Sequence, residues 1–255
     1  MIEILALPAF KDNYIWLLRK GRSAVLVDPG EAAPARLALQ REGLQLAAIL
    51  VTHKHADHQG GIAELLAESG ADVAVYGPAD ESITGLTHPL RGGEELHLAA
   101  LGADFRVLAV PGHTLEHLAY YGAGCLFSGD TLFTGGCGRL FEGTPAQMHA
   151  SLASLAALPP ETQVYCAHEY TEANLRFALA VEPDNAALRA RYAAVVEQRR
   201  NGVATVPEEL VLELATNPFL RTAQPAVRAA ARAHDAQADD EVSVFAALRA
   251  WKNSF

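Results

Sequence analysis

Residues 52–61 read Thr-His-Lys-His-Ala-Asp-His-Gln-Gly-Gly, which places three imidazoles and one carboxylate within the six residues 53–58. A packed core or a solvated surface gives no reason for such a density of metal-ligand groups. Imidazole and carboxylate together suit zinc, iron or manganese, and the lack of thiolates in the stretch argues against a closed structural zinc site. The stretch therefore predicts a catalytic metal site with two ions. A solvated loop, or one that scavenges metal without chemistry, is the alternative.

The spacing of these ligands indicates a loop. A helix brings two ligands together at i and i+4, whereas His53 and His55 are two residues apart and meet on one side of an extended or tightly turned segment. The segment before them, 44–52, is largely apolar and predicts a buried strand. The glycine pair 60–61 permits close backbone approach, and a helical pattern begins at residue 62. We therefore expect a strand, a metal-binding loop and a helix.

Three later apolar runs are each followed by one further candidate ligand. These runs and ligands are 105–110 with His113, 124–128 with Asp130, and 163–167 with His168. In open α/β sheets a site lies outside the carboxyl ends of the strands, so four strands that end in ligands favour a single site. Taken singly, His113 and Asp130 are also ordinary turn residues. The remaining histidines are interpreted as surface or locally bonded residues: His88, His97, His117, His149 and His234.

The composition is that of a globular enzyme. Of the 255 residues, 50% are hydrophobic, which suffices for one large or two modest cores. The formal net charge of −10 argues against a nucleic-acid substrate, which normally calls for an extensive basic surface. No apolar run reaches about 18 residues, and no basic and apolar signal sequence opens the chain. The three cysteines have no paired spacing and point to a reducing compartment. We expect a cytoplasmic monomer that binds no membrane.

The organisation of the chain changes near residue 170. Before it, short apolar runs such as 23–28 and 71–76 alternate with turns, as in a strand-rich α/β layer structure. After it, Ala, Leu, Arg and Glu at helical spacing predict helices. The predicted helices are 174–180, 185–200, 207–210, 224–234 and 241–251, the last with Asp240 as its cap.

The motifs resemble those of a known family. THKHADH, with single ligands downstream in PGHT, SGDTLF and AHEYT, is similar to the metallo-β-lactamase superfamily. Further segments resemble glyoxalase II, the hydroxyacylglutathione hydrolases, and the resemblance spans essentially the whole chain. These segments are 8–15 (PAFKDNYI), 133–138 (FTGGCG), 141–144 (FEGT), 168–171 (HEYT), 217–221 (NPFLR) and the C-terminal Leu248, Arg249, Lys252 and Phe255. The resemblance implies a metallo-β-lactamase-like αββα sandwich over 1–169 and an all-helical, substrate-binding domain over 170–255.

The resemblance also implies a ligand set and a nucleophile. One divalent ion is expected on His53, His55 and His113, and a second on Asp57, His58 and His168, with Asp130 bridging the two. The attacking group would be a metal-bridged hydroxide, so that Asp57 and Asp130 count as catalytic. Zinc is the favoured metal, with iron and manganese open, because histidines and carboxylates accept all three.

The substrate implied by the resemblance is an S-(2-hydroxyacyl)glutathione thioester. S-D-lactoylglutathione would give D-lactate and glutathione, the second step of methylglyoxal detoxification. Residues expected to bind the substrate are Arg139, Tyr170, Arg249 and Lys252. A solvated helix end that complements the helix dipole is the alternative for the last two. The chain departs from the family that it resembles at two positions, where Arg139 and Phe141 stand in place of Lys and Tyr. Phe141 has no hydroxyl to offer a substrate.

Rival functions and supporting residues complete the expectations. Another hydrolase of the superfamily, such as a lactonase-like enzyme, is one rival; a non-heme iron redox enzyme, such as a persulfide dioxygenase, is another. Cys125 and Cys166 lie in apolar strand runs and are interpreted as core residues, while Cys137 lies in a glycine-rich loop after Asp130. Asp28 is interpreted as a structural residue or one that orients a ligand.

Overall fold

Two compact units divide the chain. In this computed structural model, which describes residues 1–69, 73–79 and 82–255, the first unit comprises Met1–Ala109 and Glu116–Gly129, and the second comprises Val110–Leu115 and Asp130–Phe255. Among the described residues, none of the helices has the length and apolar character needed to cross a membrane.

The first unit contains two sheets and three helices among its described residues. The elements are β1 (Glu3–Ala9), β2 (Asn13–Lys20), β3 (Ser23–Val27), α1 (Ala32–Glu42), β4 (Gln45–Leu50), α2 (Ala56–Gln59), α3 (Ile62–Ser69), β5 (Ala74–Pro78), β6 (His88–Leu90), β7 (Glu95–Leu98), β8 (Ala103–Ala109), β9 (Leu118–Gly122) and β10 (Cys125–Gly129). One sheet has the order β1-β2-β3-β4-β5-β6, parallel from β3 to β6. Strands β7 to β10 follow one another as antiparallel neighbours.

Strands β3 and β4 form the centre of the first sheet because they are apolar on both faces. Leu26 pairs in parallel with Ile49 and Val27 with Leu50, and all four are buried. Continuous apolar runs of this kind are typical of parallel strands covered on both faces. Helices α1 and α3 contribute to the same core cluster through buried side chains that include Leu39 of α1. The two central strands therefore hold the segments that follow them in fixed positions.

The segments after β3 and β4 approach each other closely. A Cβ added at Gly30 would lie 1.9 Å from the carbonyl oxygen of Asp57, and one added at Gly61 would lie 2.5 Å from the backbone nitrogen of Ala32. Only glycine permits these approaches. The strand expected over 44–52 is observed as β4. The loop expected to hold the whole ligand cluster is shorter than predicted, since Asp57 and its neighbour 58 lie in the one-turn helix α2.

The second unit is mostly helical. Its elements are β11 (Leu132–Phe133), β12 (Gly136–Cys137), α4 (Pro145–Ala156), β13 (Gln163–Cys166), α5 (Thr171–Val181), α6 (Ala186–Arg200), β14 (Glu208–Glu209), α7 (Leu210–Thr216), a 3-10 helix (Pro218–Leu220), α8 (Pro225–His234) and α9 (Glu241–Ser254). Asp240 caps α9 as predicted, accepting a hydrogen bond from the Ser243 backbone N–H. Ring contacts join α5 to α9, with the Phe177 and Trp251 ring centroids 5.0 Å apart.

Two secondary-structure expectations need correction or restriction. A helix was expected over 207–210, but Glu208 and Glu209 pair antiparallel with β13, and helix α7 begins only at Leu210. The helical region after residue 170 therefore contains one two-residue strand. Pairing with β13 gives the backbone N–H and C=O groups of these two residues hydrogen-bond partners. Helix propensity takes no account of such a distant partner. The strand expected over 71–76 is observed as β5, which begins at Ala74. Residues 71 and 72 of the expected strand lie outside the described residues.

Two leucines of α1 test this packing. Leu39 is buried in the core cluster, whereas Leu37 is 65% exposed. We expect Leu39→Ala to lower the free energy of unfolding by about 2–5 kcal/mol, because it removes buried apolar contacts. Leu37→Ala, matched in helix and side chain, should change it by less than about 0.5 kcal/mol. Urea unfolding followed by circular dichroism measures both, and equal losses would contradict the packing described.

Candidate metal centre

In the first unit, the side chains of residues 53–58 converge at the end of β4. His53 Nε2 lies 2.9 Å from His55 Nδ1, and the His53 and His58 ring centroids are 4.0 Å apart. His58 Nε2 lies 3.5 Å from Asp57 Oδ2. Because β4 ends in a buried apolar run, His53 and His58 are themselves buried. The four predicted ligands of this stretch are thus adjacent to one another.

Hydrogen bonds from neighbouring strands hold this stretch in place. Asp28, directly after β3, accepts from the Thr52 backbone N–H at 2.7 Å and from Thr52 Oγ1 at 2.7 Å. Asn13 Nδ2 donates to Asp57 Oδ2 at 3.0 Å. The Tyr120 hydroxyl donates to the Val51 carbonyl oxygen at 2.7 Å, and burial raises the pKa of Tyr120 well above its ordinary value, so the hydroxyl keeps its proton.

In the second unit, Asp130 lies between two imidazoles. Its Oδ2 is 3.4 Å from His113 Nε2, and its Oδ1 is 3.3 Å from His168 Nε2. His113 Nδ1 is 2.8 Å from the Arg139 carbonyl oxygen; a carbonyl only accepts, so Nδ1 carries the proton and Nε2 is the nitrogen that faces Asp130. A Cβ at Gly138 would lie 1.9 Å from the Asp130 carbonyl oxygen. The glycine-rich segment after Asp130 is therefore required for this approach.

The donor set fits divalent metal ions. Each of the seven residues predicted as ligands belongs to a group of three His or Asp side chains that could hold a metal ion. Within the part of the chain that the structure describes, these groups include no cysteine. Imidazole nitrogens and carboxylate oxygens without thiolates suit zinc, iron or manganese. The chemistry of the residues is thus that of a site for divalent metal ions.

The NPFLR segment shapes the glycine-rich loop of the second unit. Asn217 Nδ2 donates to the Gly136 carbonyl oxygen at 2.9 Å and to Glu213 Oε2 at 3.0 Å. Glu213 Oε2 also accepts from the Gly135 backbone N–H at 2.8 Å. Arg191, likewise buried, forms an ion pair with Glu213. Because Asn217 and Glu213 are fully buried, these bonds determine the path of the loop between Asp130 and residue 139.

The predicted substrate-binding residues differ widely in exposure. Tyr170 stacks on His168 with ring centroids 4.7 Å apart and planes 3° apart. Arg139 is exposed. Arg249 is buried, and its Nη1 donates to the Cys137 carbonyl oxygen at 2.8 Å, so it is not a solvated helix-end residue. Lys252 is half-buried, and burial, followed by the charges of nearby arginines, lowers its pKa to about 8.

One buried histidine was missed. His117 was interpreted as a surface or locally bonded residue, but it is fully buried and its ring stacks on His53 with centroids 4.7 Å apart. Its position directly before the apolar strand β9 was the available signal. A Cβ added at Gly129 would lie 2.7 Å from His117 Cε1, so the backbone at the end of β10 packs closely against this ring. The exposed Phe141, by contrast, lies edge-on to His113 at 5.1 Å.

Two family models match consecutive parts of the chain. Residues 10–168 match the metallo-beta-lactamase superfamily, and residues 169–255 match the hydroxyacylglutathione hydrolase C-terminus. A hydroxyacylglutathione hydrolase from Dechloromonas aromatica (strain RCB) is 56% identical over 269 residues, covering 100% of this chain and 100% of the relative. The chain belongs to the hydroxyacylglutathione hydrolase family. The predicted family and its thiolester hydrolase class are confirmed.

Solved structures share the fold of this hydroxyacylglutathione hydrolase family member. BLEG-1 B3 metallo-beta-lactamase matches with a TM-score of 0.63 and 24% identity, covering 86% of this chain and 99% of that chain. The protein TTHA1623, in a di-iron-bound form, matches with a TM-score of 0.54 and 35% identity, covering 65% of this chain and 91% of that chain. The metallo-β-lactamase-like fold with a C-terminal helical region is confirmed.

The cysteines provide a test of burial. Cys125, Cys137 and Cys166 are all buried, and burial raises the pKa of Cys166 to about 12 and also raises that of Cys137. Thiolate is the reactive form, so we expect iodoacetamide at pH 7 to label none of them within an hour in the native protein and all three in denaturant. Intact-mass analysis measures the labelling. Rapid labelling of Cys137 in the native protein would contradict its burial.

Proposed function

We propose that this chain uses two divalent metal ions to hydrolyse S-(2-hydroxyacyl)glutathione thioesters, with S-D-lactoylglutathione giving D-lactate and glutathione. The observation that carries the proposal is the full-length similarity to a hydroxyacylglutathione hydrolase, including the C-terminal region specific to that family. The His and Asp groups described above supply the donors that such ions require. The reaction is the second step of methylglyoxal detoxification.

The proposed ligand assignment follows the family pattern. His53, His55 and His113 would hold one ion, Asp57, His58 and His168 the other, and Asp130 would bridge them. Support for the bridge comes from Asp130 itself, because its two oxygens face the Nε2 atoms of two different imidazoles. We propose zinc as the metal. Iron and manganese suit the same donors, and the related TTHA1623 has a di-iron-bound form.

The proposed chemistry needs no side-chain nucleophile. Two bound ions would supply a nucleophile at neutral pH, because such ions lower the pKa of a bound water from about 15.7 toward about 7. Asp57 and Asp130 would act as ligands that position the attacking oxygen. The glutathione thiol has a pKa near about 8.5, so it leaves as thiolate without an obligatory proton donor. The buried cysteines are consistent with this scheme, since none is placed to attack a substrate.

We propose that the region 170–255 binds the glutathione part of the substrate and that 1–169 carries out the catalysis. Glutathione has two negatively charged carboxylates, and exposed Arg139 and half-buried Lys252 offer positive charges that could pair with them. Tyr170, with an exposed fraction of 36%, offers a hydroxyl. We also propose Arg249 as a residue that binds the glutathione part of the substrate. The substrate is thus a small molecule, and we propose a cytoplasmic, monomeric enzyme.

Hydrolysis of S-D-lactoylglutathione by purified protein of known metal content tests the proposal. We expect rapid loss of thioester absorbance, much faster than with the lactoyl thioester of N-acetylcysteine. His58→Gln should lower kcat by at least about a hundredfold, because it removes a proposed ligand. His97→Gln is the matched control and should leave kcat unchanged, since His97 is exposed and pairs with Asp104 on the surface.

Slow or indiscriminate hydrolysis by fully metallated protein would contradict the substrate assignment. Lactones and persulfides would then be assayed, because a lactonase-like hydrolase and a non-heme iron redox enzyme are the rivals. If His58→Gln and His97→Gln retained equal activity with S-D-lactoylglutathione, the ligand assignment would be wrong. Metal analysis of each preparation separates loss of metal from loss of substrate recognition.

Lys252 predicts a pH dependence of substrate binding. Its pKa of about 8 means that the ammonium is charged below that pH and loses its charge as the pH rises through it. We expect KM for S-D-lactoylglutathione to rise about tenfold between pH 7 and 9, because a charge-assisted hydrogen bond is lost. Lys252→Arg keeps its charge and should show a flat KM. Steady-state kinetics across this range measure both, and a parallel rise in the variant would assign the titration to another group.

A further inference from the structure

We propose that the single carboxylate of Asp28 sets the tautomer of two metal-ligand histidines, His58 directly and His53 through the hydroxyl of Thr52. In both rings Nδ1 would carry the proton, and Nε2 would be the nitrogen offered to a metal ion. The proposal rests on the metal-binding role given to these histidines above. It makes Asp28 a positioning residue that serves both ions, because the two histidines are assigned to different ones.

The direct contact joins Asp28 to His58. His58 Nδ1 lies 3.0 Å from Asp28 Oδ2. A carboxylate has no proton to donate, so the imidazole nitrogen is the donor and Nε2 is left with its lone pair. Metal-binding histidines commonly have a carboxylate or carbonyl partner on the second nitrogen, which fixes both the tautomer and the ring orientation. His58 therefore has the arrangement expected of a ligand that binds through Nε2.

The indirect contact follows from counting protons on Thr52. Its Oγ1 donates to Asp28 Oδ2 at 2.7 Å, and a hydroxyl has only one proton. The same oxygen lies 3.1 Å from His53 Nδ1. Because the proton of Thr52 is already used, Oγ1 accepts at this contact and His53 Nδ1 is the donor. One carboxylate thus determines the protonation of a second ring that it does not touch.

The surrounding structure keeps this arrangement in place. Asp28 and Thr52 are buried, and the Thr52 backbone N–H donates to Asp28 Oδ1 at 2.7 Å, which fixes the orientation of the carboxylate. Asp28 has a left-handed backbone with φ of 51°, a conformation that Asp and Asn adopt more readily than other non-glycine residues. A Cβ at Gly129 would lie 2.5 Å from Thr52 Oγ1, so only glycine at this position leaves room for the hydroxyl where it is.

Two isosteric variants separate the contacts. In Asp28→Asn the Thr52 backbone N–H still requires an oxygen, so the amide nitrogen takes the place of Oδ2 and becomes a donor toward both His58 and Thr52. We expect both rings to shift to the Nε2–H form. Thr52→Val removes only the relay, so only His53 should change. Thr162→Val is the matched control, because Thr162 is a buried threonine that lies in the second unit.

Nitrogen-15 NMR of the metal-free, full-length protein at pH 8 reads the tautomers, and titration with zinc ions reads the affinities. We expect Asp28→Asn to weaken both zinc-binding steps at least about tenfold, Thr52→Val to weaken one of them, and Thr162→Val to weaken neither. Unchanged tautomers in Asp28→Asn, or equal weakening of both steps in Thr52→Val, would overturn the proposal. If Asp28→Asn does not fold, Thr52→Val alone decides. The tautomers are read without substrate, so failure of the proposed hydrolysis is seen separately in the native enzyme.

Discussion

The position of residues 52–58 in the first unit depends on the hydrogen bonds of one buried carboxylate, which directly follows β3. Asp28 faces His58 and accepts both hydrogen bonds that Thr52 donates. Polar groups taken out of water lower stability unless they are hydrogen-bonded, and His53 and His58 are almost completely buried. Adjacent parallel strands place the carboxylate and the proposed ligands side by side, so the stability of the sheet and the geometry of the proposed site have a common origin.

The second unit supports its proposed ligands differently. His113 is oriented by a backbone carbonyl, that of Arg139, rather than by a carboxylate. The loop that carries this carbonyl follows a path set by Asn217 and Glu213, which are fully buried and hydrogen-bonded to glycine backbone groups. In this way the NPFLR segment supports the loop that leads from Asp130 to residue 139. A helical segment some 80 residues away supplies the contacts that shape the loop after Asp130.

Local patterns were sufficient for much of the fold. The strand before the ligand stretch, the close backbone approach at Gly61 and the cap at Asp240 were predicted from neighbouring residues and are present. The failures occurred where distant residues decide. Strand β14 replaced a helix start because β13 offered it a partner, and the burial of His117 follows from stacking on His53, 64 positions earlier in the chain.

By itself, the sequence determined the chemistry: which residue types are present, the density of imidazole and carboxylate in 53–58, and the family. These depend on local spacing, which a sequence displays directly. Tertiary structure alone decided how Arg249 is buried against the Cys137 carbonyl and how the pKa of Lys252 falls to about 8. It also decided that His58 Nδ1 faces the Asp28 carboxylate and that His113 Nδ1 faces the Arg139 carbonyl oxygen. Burial and hydrogen-bond partners arise from residues far apart in the chain, and no local pattern specifies which of them will meet.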